Sequence, residues 1–329
     1  MSPSSSEPSR QHACGLTDVG RHREENQDQF LVAELRNSMI VKATSLPIEQ
    51  NSSLLGRISG QLLMVADGMG GQNAGQRASS VAVDHLIAQL LNRMHCFFQL
   101  GGGGDDAFVE ALKDLMQQTH AKILAESAGN DAERGMGTTL TMAYTVWPRM
   151  YVVHVGDSRC YLIRQGRCEQ LTTDHTLARQ LIDSGGMKPE DEALSRWSNV
   201  LWNVLGGAGA HKLFVEVHLV DLVEGDKVLL CSDGLSRYLS AETLAEVVTE
   251  GARDIQSVCH RLVGLANAAG GEDNITVVIG EPEQTARGHR PPPGETKADA
   301  LTDVDISSHT GGRKRAAGGE FTDEDTRPG

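Results

Sequence analysis

Four aspartates, Asp67, Asp157, Asp233 and Asp273, each stand at one end of an apolar, strand-like run and among small residues. Asp67 closes the run 62–66, Asp157 follows 152–156, Asp233 follows 228–232, and Asp273 stands just before 275–280. A sheet built from these runs brings all four carboxylates to one edge, because strands end together where their turns cluster. So many like charges in one place repel unless cations share them, so the pattern points to an oxygen-rich cage for small divalent metals. Glycines follow two of the four, Gly68 and Gly234, and let the backbone turn sharply beside the carboxylate. One Asp-Gly pair alone is an ordinary turn; its recurrence in strand context carries the metal reading.

The rest of the chain supplies layers for such a sheet. Apolar residues at helical spacing predict helices over 74–91 and 107–125, and again over 241–248 and 255–268. Strands are expected over 29–34, 61–66, 138–146, 150–155, 160–164, 170–171, 214–219, 227–231 and 275–280, with a long loop over 44–60. Short turns at Trp147-Pro148, Gly156-Asp157 and Gln165-Gly166 imply antiparallel neighbours. A helix over 174–184, capped by Asp174, opens an irregular segment reaching 206 that reads either as a mobile flap beside the metals or as a solvated connection. Alternating hairpins and helix pairs favour an α+β layered domain over a parallel sheet. One domain over 13–280 is expected, between a Ser- and Pro-rich arm (1–12) and a polar tail (281–329) too poor in apolar residues to form a core.

A net charge of -14 argues against a nucleic-acid partner. No run reaches the roughly 18 to 20 apolar residues that cross a bilayer, and the N-terminus lacks a signal peptide's apolar core, so membrane insertion is not expected and the protein is expected to be cytoplasmic. The six cysteines form no Cys-x-x-Cys pair; packed thiols are expected, with Cys160 and Cys168 the pair that a hairpin could bring together. In the early segment, Arg23 can grip phosphate oxygens through its planar fork and Asp28 can orient a water, although a surface charge cluster accounts for the same residues.

Taken in order, the segments 15–30, 62–75, 135–144, 152–185, 228–240 and 272–280 resemble the type 2C metal-dependent serine/threonine protein phosphatases, in their bacterial branch. The resemblance implies an α/β/β/α sandwich, four layers with two central antiparallel β-sheets flanked by helices. It implies that Asp67 bridges two core metals, that the Gly68 carbonyl, Asp233 and Asp273 complete them, and that Asp157 with Asp233 holds a weaker third. Arg23 then matches the phosphate-gripping arginine and Asp28 the aspartate that acts on a metal-held water. Asn274 supports the site rather than ligating, and Gly137, Thr138 and Thr139 match a strand start that serves packing.

Two departures stand out. Met69 occupies the position of a histidine in the animal enzymes, a candidate general acid, and neither His22 nor His175 matches a family catalytic position. Trp202 and Asn203 replace polar and charged residues that bacterial relatives carry after the flap. The implied activity is hydrolysis of phosphoserine and phosphothreonine in proteins by a metal-activated water at a binuclear Mn or Mg centre, opposing a Ser/Thr kinase. Hydrolysis of other phosphomonoesters, or a metal-stabilised module that binds phosphoproteins without turnover, are the alternatives.

Overall fold

The computed structural model describes residues 12–43, 53–71, 73–97, 105–208, 212–251 and 254–282. The chain divides into two compact units, Met1–Arg36 with Ile58–Arg287 and Asn37–Arg57 with Gly288–Gly329, and the packed layers below are those of the first. Apart from His12, Glu281 and Pro282, the expected arm and tail lie outside the described residues, as do residues 44–52 of the expected long loop and the glycine run 101–104.

The strands are β1 (Ala13–Asp18), β2 (Asp28–Ile40), β3 (Ser53–Met69), β4 (Gly137–Thr138), β5 (Leu140–Val146), β6 (Arg149–Val155), β7 (Arg159–Arg164), β8 (Arg167–Gln170), β9 (Leu205–Gly206), β10 (Glu216–Asp221), β11 (Lys227–Cys231) and β12 (Ile275–Gly280). The helices are α1 (Ala74–Phe97), α2 (Asp105–Ala128), α3 (Leu177–Asp183), α4 (Asp233–Ser236), α5 (Ala241–Glu250) and α6 (Ile255–Ala269). One sheet runs β1-β12-β11-β7-β8; the other runs β10-β6-β5-β3-β4-β9, with β2 also paired to β3. The registers of β1 with β12, β11 with β12 and β7, β3 with β5, and β5 with β6 are all antiparallel.

Side-chain alternation builds the layers. Along β3, Leu62, Met64 and Ala66 pack with α1 and α2, while Leu63 and Val65 face the other sheet. Along β11, Leu229 and Cys231 pack with α5 and α6, while Val228 and Leu230 meet Leu63 and Val65 in the core between the sheets. The result is four layers, helices on each outer face and two sheets between them, as expected. Because Leu230 is fully buried in the inter-sheet core, Leu230→Ala is expected to destabilise the fold by about 2–5 kcal/mol. Leu219 on edge strand β10 is 45% exposed, and its alanine variant should change stability by less than about 1 kcal/mol. Urea unfolding of both variants checks the layer assignment.

Local chemistry sets the ends. The β7–β8 hairpin turns on Gln165 and Gly166, both at positive φ (52° and 76°), the two-residue turn whose twist matches paired strands. Cys160 and Cys168 in this hairpin are free thiols. Ser240 and Asp254 cap α5 and α6. The expected cap of α3 is corrected: Thr176 caps it by accepting from the Arg179 N–H, because Asp174 is engaged by Arg159. The expected loop 44–60 is shorter than its polarity suggested, since β3 already begins at Ser53. Among the described residues, no helix is long and apolar enough to cross a membrane.

Candidate metal centre and active site

Asp67, Gly68, Asp157, Asp233 and Asp273 line one cavity of about 860 Å³, together with Arg23 and Asn274. Asp67 and Gly68 come from the end of β3, Asp157 from the β6–β7 turn, Asp233 from the start of α4 after β11, and Asp273 from the approach to β12. The two sheets therefore deliver the four carboxylates from facing strand ends, which is where the sequence pattern put them.

Backbone contacts hold these ends close. A Cβ on Gly68 would stand 2.1 Å from the Gly75 carbonyl oxygen, and one on Gly234 would stand 2.0 Å from that of Asn274. Each glycine is needed because another backbone passes where a side chain would be. Asp67 is held at both backbone atoms: its N–H donates to Thr139 Oγ1 at 3.0 Å, and its carbonyl accepts from Thr138 Oγ1 and Thr139 N, each at 2.9 Å. Thr139 Oγ1 also shares a 2.6 Å hydrogen bond with Ser158 Oγ, tying the Asp67 strand to the Asp157 turn. These threonines thus fix two acidic positions rather than only filling space.

Asn274 performs the same service for the segment carrying Arg23 and Asp28. Its Oδ1 accepts from the Gln27 N–H at 2.8 Å, and its Nδ2 donates to the Glu25 and Val19 carbonyls at 2.9 and 3.0 Å. Arg23 is half exposed and donates from Nη2 to Asp273 Oδ2 at 2.8 Å. Asp28 is buried, not on the cavity wall; its Oδ2 accepts from Ser232 Oγ at 2.7 Å and Thr276 Oγ1 at 2.6 Å. Ser232 and Thr276 were not singled out in the sequence, because nothing local marks a hydroxyl as the partner of an acid more than 200 residues away.

The electrostatics are those of an under-neutralised cluster. Burial pushes Asp28 up to about 7 despite its two hydroxyl donors. Burial, and then the charges of Asp28 and Asp233, hold Asp67 well above the carboxylate range. Asp157 is raised by burial and Asp233, and Asp233 by burial against the opposing pull of Arg237. The Arg23 guanidinium is raised by its bond to Asp273. Asp28 Oδ1 and Asp233 Oδ1 are buried and have no hydrogen-bond partner among the described residues. Unpartnered carboxylate oxygens in an all-oxygen, mutually repelling set fit hard divalent cations such as Mg²⁺ or Mn²⁺.

A second group of ligand-type side chains, His154, His175 and Glu216, brings its donor atoms within 4.8 Å of one another. Its hydrogen bonds argue against an ion there. His175 Nδ1 accepts from the Gly156 N–H at 3.0 Å and from Asn203 Nδ2 at 2.8 Å, so its proton resides on Nε2 and leaves no lone pair there for a metal. Asn203 is locked in that orientation by the Phe214 backbone at 2.8 and 3.0 Å. The exchange of charge for Asn203 therefore ties a buried junction together, while Trp202 beside it lines the cavity. His22 is exposed, and no bond involving His175 reaches the aspartates.

Although burial alone would raise Glu216, the nearby His175 ring, 3.6 Å away, and hydrogen bonds from His218 and Thr173 lower it to about 2. Burial, with His175 alongside, lowers His154 to about 4. A buried histidine that resists protonation leaves stability unchanged above about pH 7; below the ordinary value near 6.5 the unfolded chain takes up the proton first and stability falls until about pH 4. Between pH 7.5 and 5, wild type should lose about 2 kcal/mol more than His154→Gln. Urea unfolding at both pH values checks this, and equal losses would contradict it.

Residues 54–263 match the family model described as protein phosphatase 2C. The serine/threonine phosphatase stp of Listeria monocytogenes is 31% identical over 277 residues, covering 84% of this chain and 98% of that protein. The crystal structure of the serine/threonine phosphatase PstP/Ppp of Mycobacterium tuberculosis superposes with a TM-score of 0.65 at 30% identity, covering 83% of this chain and 98% of that one. A PstP catalytic domain solved with two manganese ions gives a TM-score of 0.62 at 30% identity, over 82% of this chain and 96% of that one.

Proposed function

Since the chain belongs to the protein phosphatase 2C family, we propose that it hydrolyses phosphoserine and phosphothreonine esters on proteins with divalent metal assistance and thereby reverses a Ser/Thr kinase. The observation that carries this reading is the convergence of four aspartates and Arg23 on one cavity. Asp67, the Gly68 carbonyl, Asp233 and Asp273 would hold two Mn²⁺ or Mg²⁺ ions, with Asp157 and Asp233 able to hold a third. When bound, such ions supply Lewis acidity that lowers the pKa of water and offsets charge on the phosphoryl oxygens.

The chain's own residues divide the remaining work. Arg23 reaches the cavity from an exposed position and presents the planar fork that binds two phosphate oxygens at once. Asp28 is fixed through Oδ2 by Ser232 and Thr276, which leaves Oδ1 as the oxygen that would orient the attacking water. Met69 in the cavity wall offers no proton, so the leaving serine or threonine oxygen would take its proton from water, metal-held or bulk, or from the substrate's own surroundings. We read 174–206 as a flap over substrate, supported by Asn199, Val200, Leu201 and Trp202 in the cavity wall.

The test compares a phosphothreonine peptide with a sugar phosphate, using protein saturated with Mn²⁺. The peptide is expected to give a kcat/KM at least about tenfold higher. A preference for the sugar phosphate would overturn the substrate class, and tight peptide binding without phosphate release would overturn the enzymatic reading.

A further inference from the structure

Arg237 has no part in the chemistry above, yet it stands at a junction. It lines the catalytic cavity and also a second cavity of about 400 Å³, and the two share Asp157, Asn199, Asp233 and Arg237 as lining. Arg237 lies one helical turn beyond Asp233, so the same α4 segment sets both side chains. Among the described residues, one guanidinium nitrogen is engaged: Nη2 donates to Asp233 Oδ2 and approaches Asn199 Oδ1 at 3.5 Å. Nε and Nη1 make no hydrogen bond to a described residue, and the side chain is 31% exposed.

The other cation of the second cavity is already committed. Arg159 donates to both carboxylate oxygens of Asp174, at 2.6 to 3.1 Å, and to Tyr161 Oη at 3.2 Å. Glu192 borders the second cavity but not the catalytic one. Among the described residues, Arg237 is thus the cation that lines both cavities, beside Asp157 and Asp233, the acids that would face the metals. Cations held by Asp233 would also draw on the negative charge that now offsets Arg237, leaving its fork to seek another anion.

We propose that Arg237 is a specificity-determining residue that binds an anionic side chain, a carboxylate or a second phosphate, on the residue adjoining the phosphoserine or phosphothreonine of the substrate. This rests on the phosphatase reading above. The contact is partly exposed, so its contribution is that of a charge-assisted hydrogen bond still reached by solvent and salt.

The test uses the full chain with saturating Mn²⁺ and phosphothreonine peptides that differ only at one flanking position. That position carries Ala, Asp, Lys or a non-hydrolysable phosphonate analogue of phosphoserine, placed before or after the phosphothreonine. Wild type is expected to prefer Asp or the phosphonate over Ala by about fivefold in kcat/KM on at least one side, expressed through KM and shrinking as salt rises. The Asp and phosphonate arms show which anion the site favours. R237A should bring the ratio to about one, R237K should keep part of it, and R237E should invert it in favour of Lys. Because the readout is a ratio between peptides, a general loss of turnover through Asp233 does not imitate it. A wild-type ratio near one on both sides, or an unchanged ratio in folded R237A, overturns the proposal while leaving the phosphatase reading intact. No turnover of any peptide by wild type overturns both.

Discussion

Replacing Asp233 by asparagine is expected to leave a folded protein whose metal-dependent phosphate release falls by about 10³-fold or more. Asp233 stands half-buried among like charges, its buried Oδ1 has no hydrogen-bond partner among the described residues, and its carboxyl is raised by desolvation. Asparagine keeps the shape and removes one negative charge, so cation binding is lost while repulsion inside the cluster is relieved. The metal-stripped variant should consequently melt no lower than metal-stripped wild type, and added Mn²⁺ should raise its melting temperature far less. Thermal unfolding with and without Mn²⁺, run beside the activity assay, separates loss of metal from loss of fold. Turnover within about tenfold of wild type at saturating Mn²⁺ would remove Asp233 from the metal centre.

Arg23→Ala is expected to give the next largest effect, a fall of about 10²-fold in kcat/KM with Mn²⁺ affinity changed little. Its side chain is 56% exposed and, among the described residues, hydrogen-bonds to Asp273, so stability should hardly move. Arg23→Lys should recover only part of the loss, because a point charge does not reproduce a planar two-donor fork. Steady-state kinetics on a phosphothreonine peptide checks both variants; a kcat/KM within threefold of wild type for the alanine variant would assign phosphate binding elsewhere.

The acidic positions were legible because each is written locally: an apolar run of strand length, then an aspartate, then a residue small enough to permit close approach. The same local pattern gave β11 and β12 their observed limits and the start of α1 at Ala74. What could not be read depends on partners distant in the chain. Asp174 looks like a helix cap until Arg159 claims it, and Thr176 then takes the cap. Asn203 looks like a loss of polarity until His175 and Phe214 close around it. The start of β3 at Ser53 lies in sequence that reads as loop, because backbone pairing can outweigh weak strand propensity. Arg237 carried no signal of its own; its interest arises only from the two cavities it joins.

The most direct test of the metal-centre account is phosphate release from a phosphothreonine peptide by metal-stripped protein, with Mn²⁺, Mg²⁺ or no metal restored in parallel. The account predicts release with either ion at a rate at least about 100-fold above the metal-free reaction. Equal release in the presence of a chelator would contradict it.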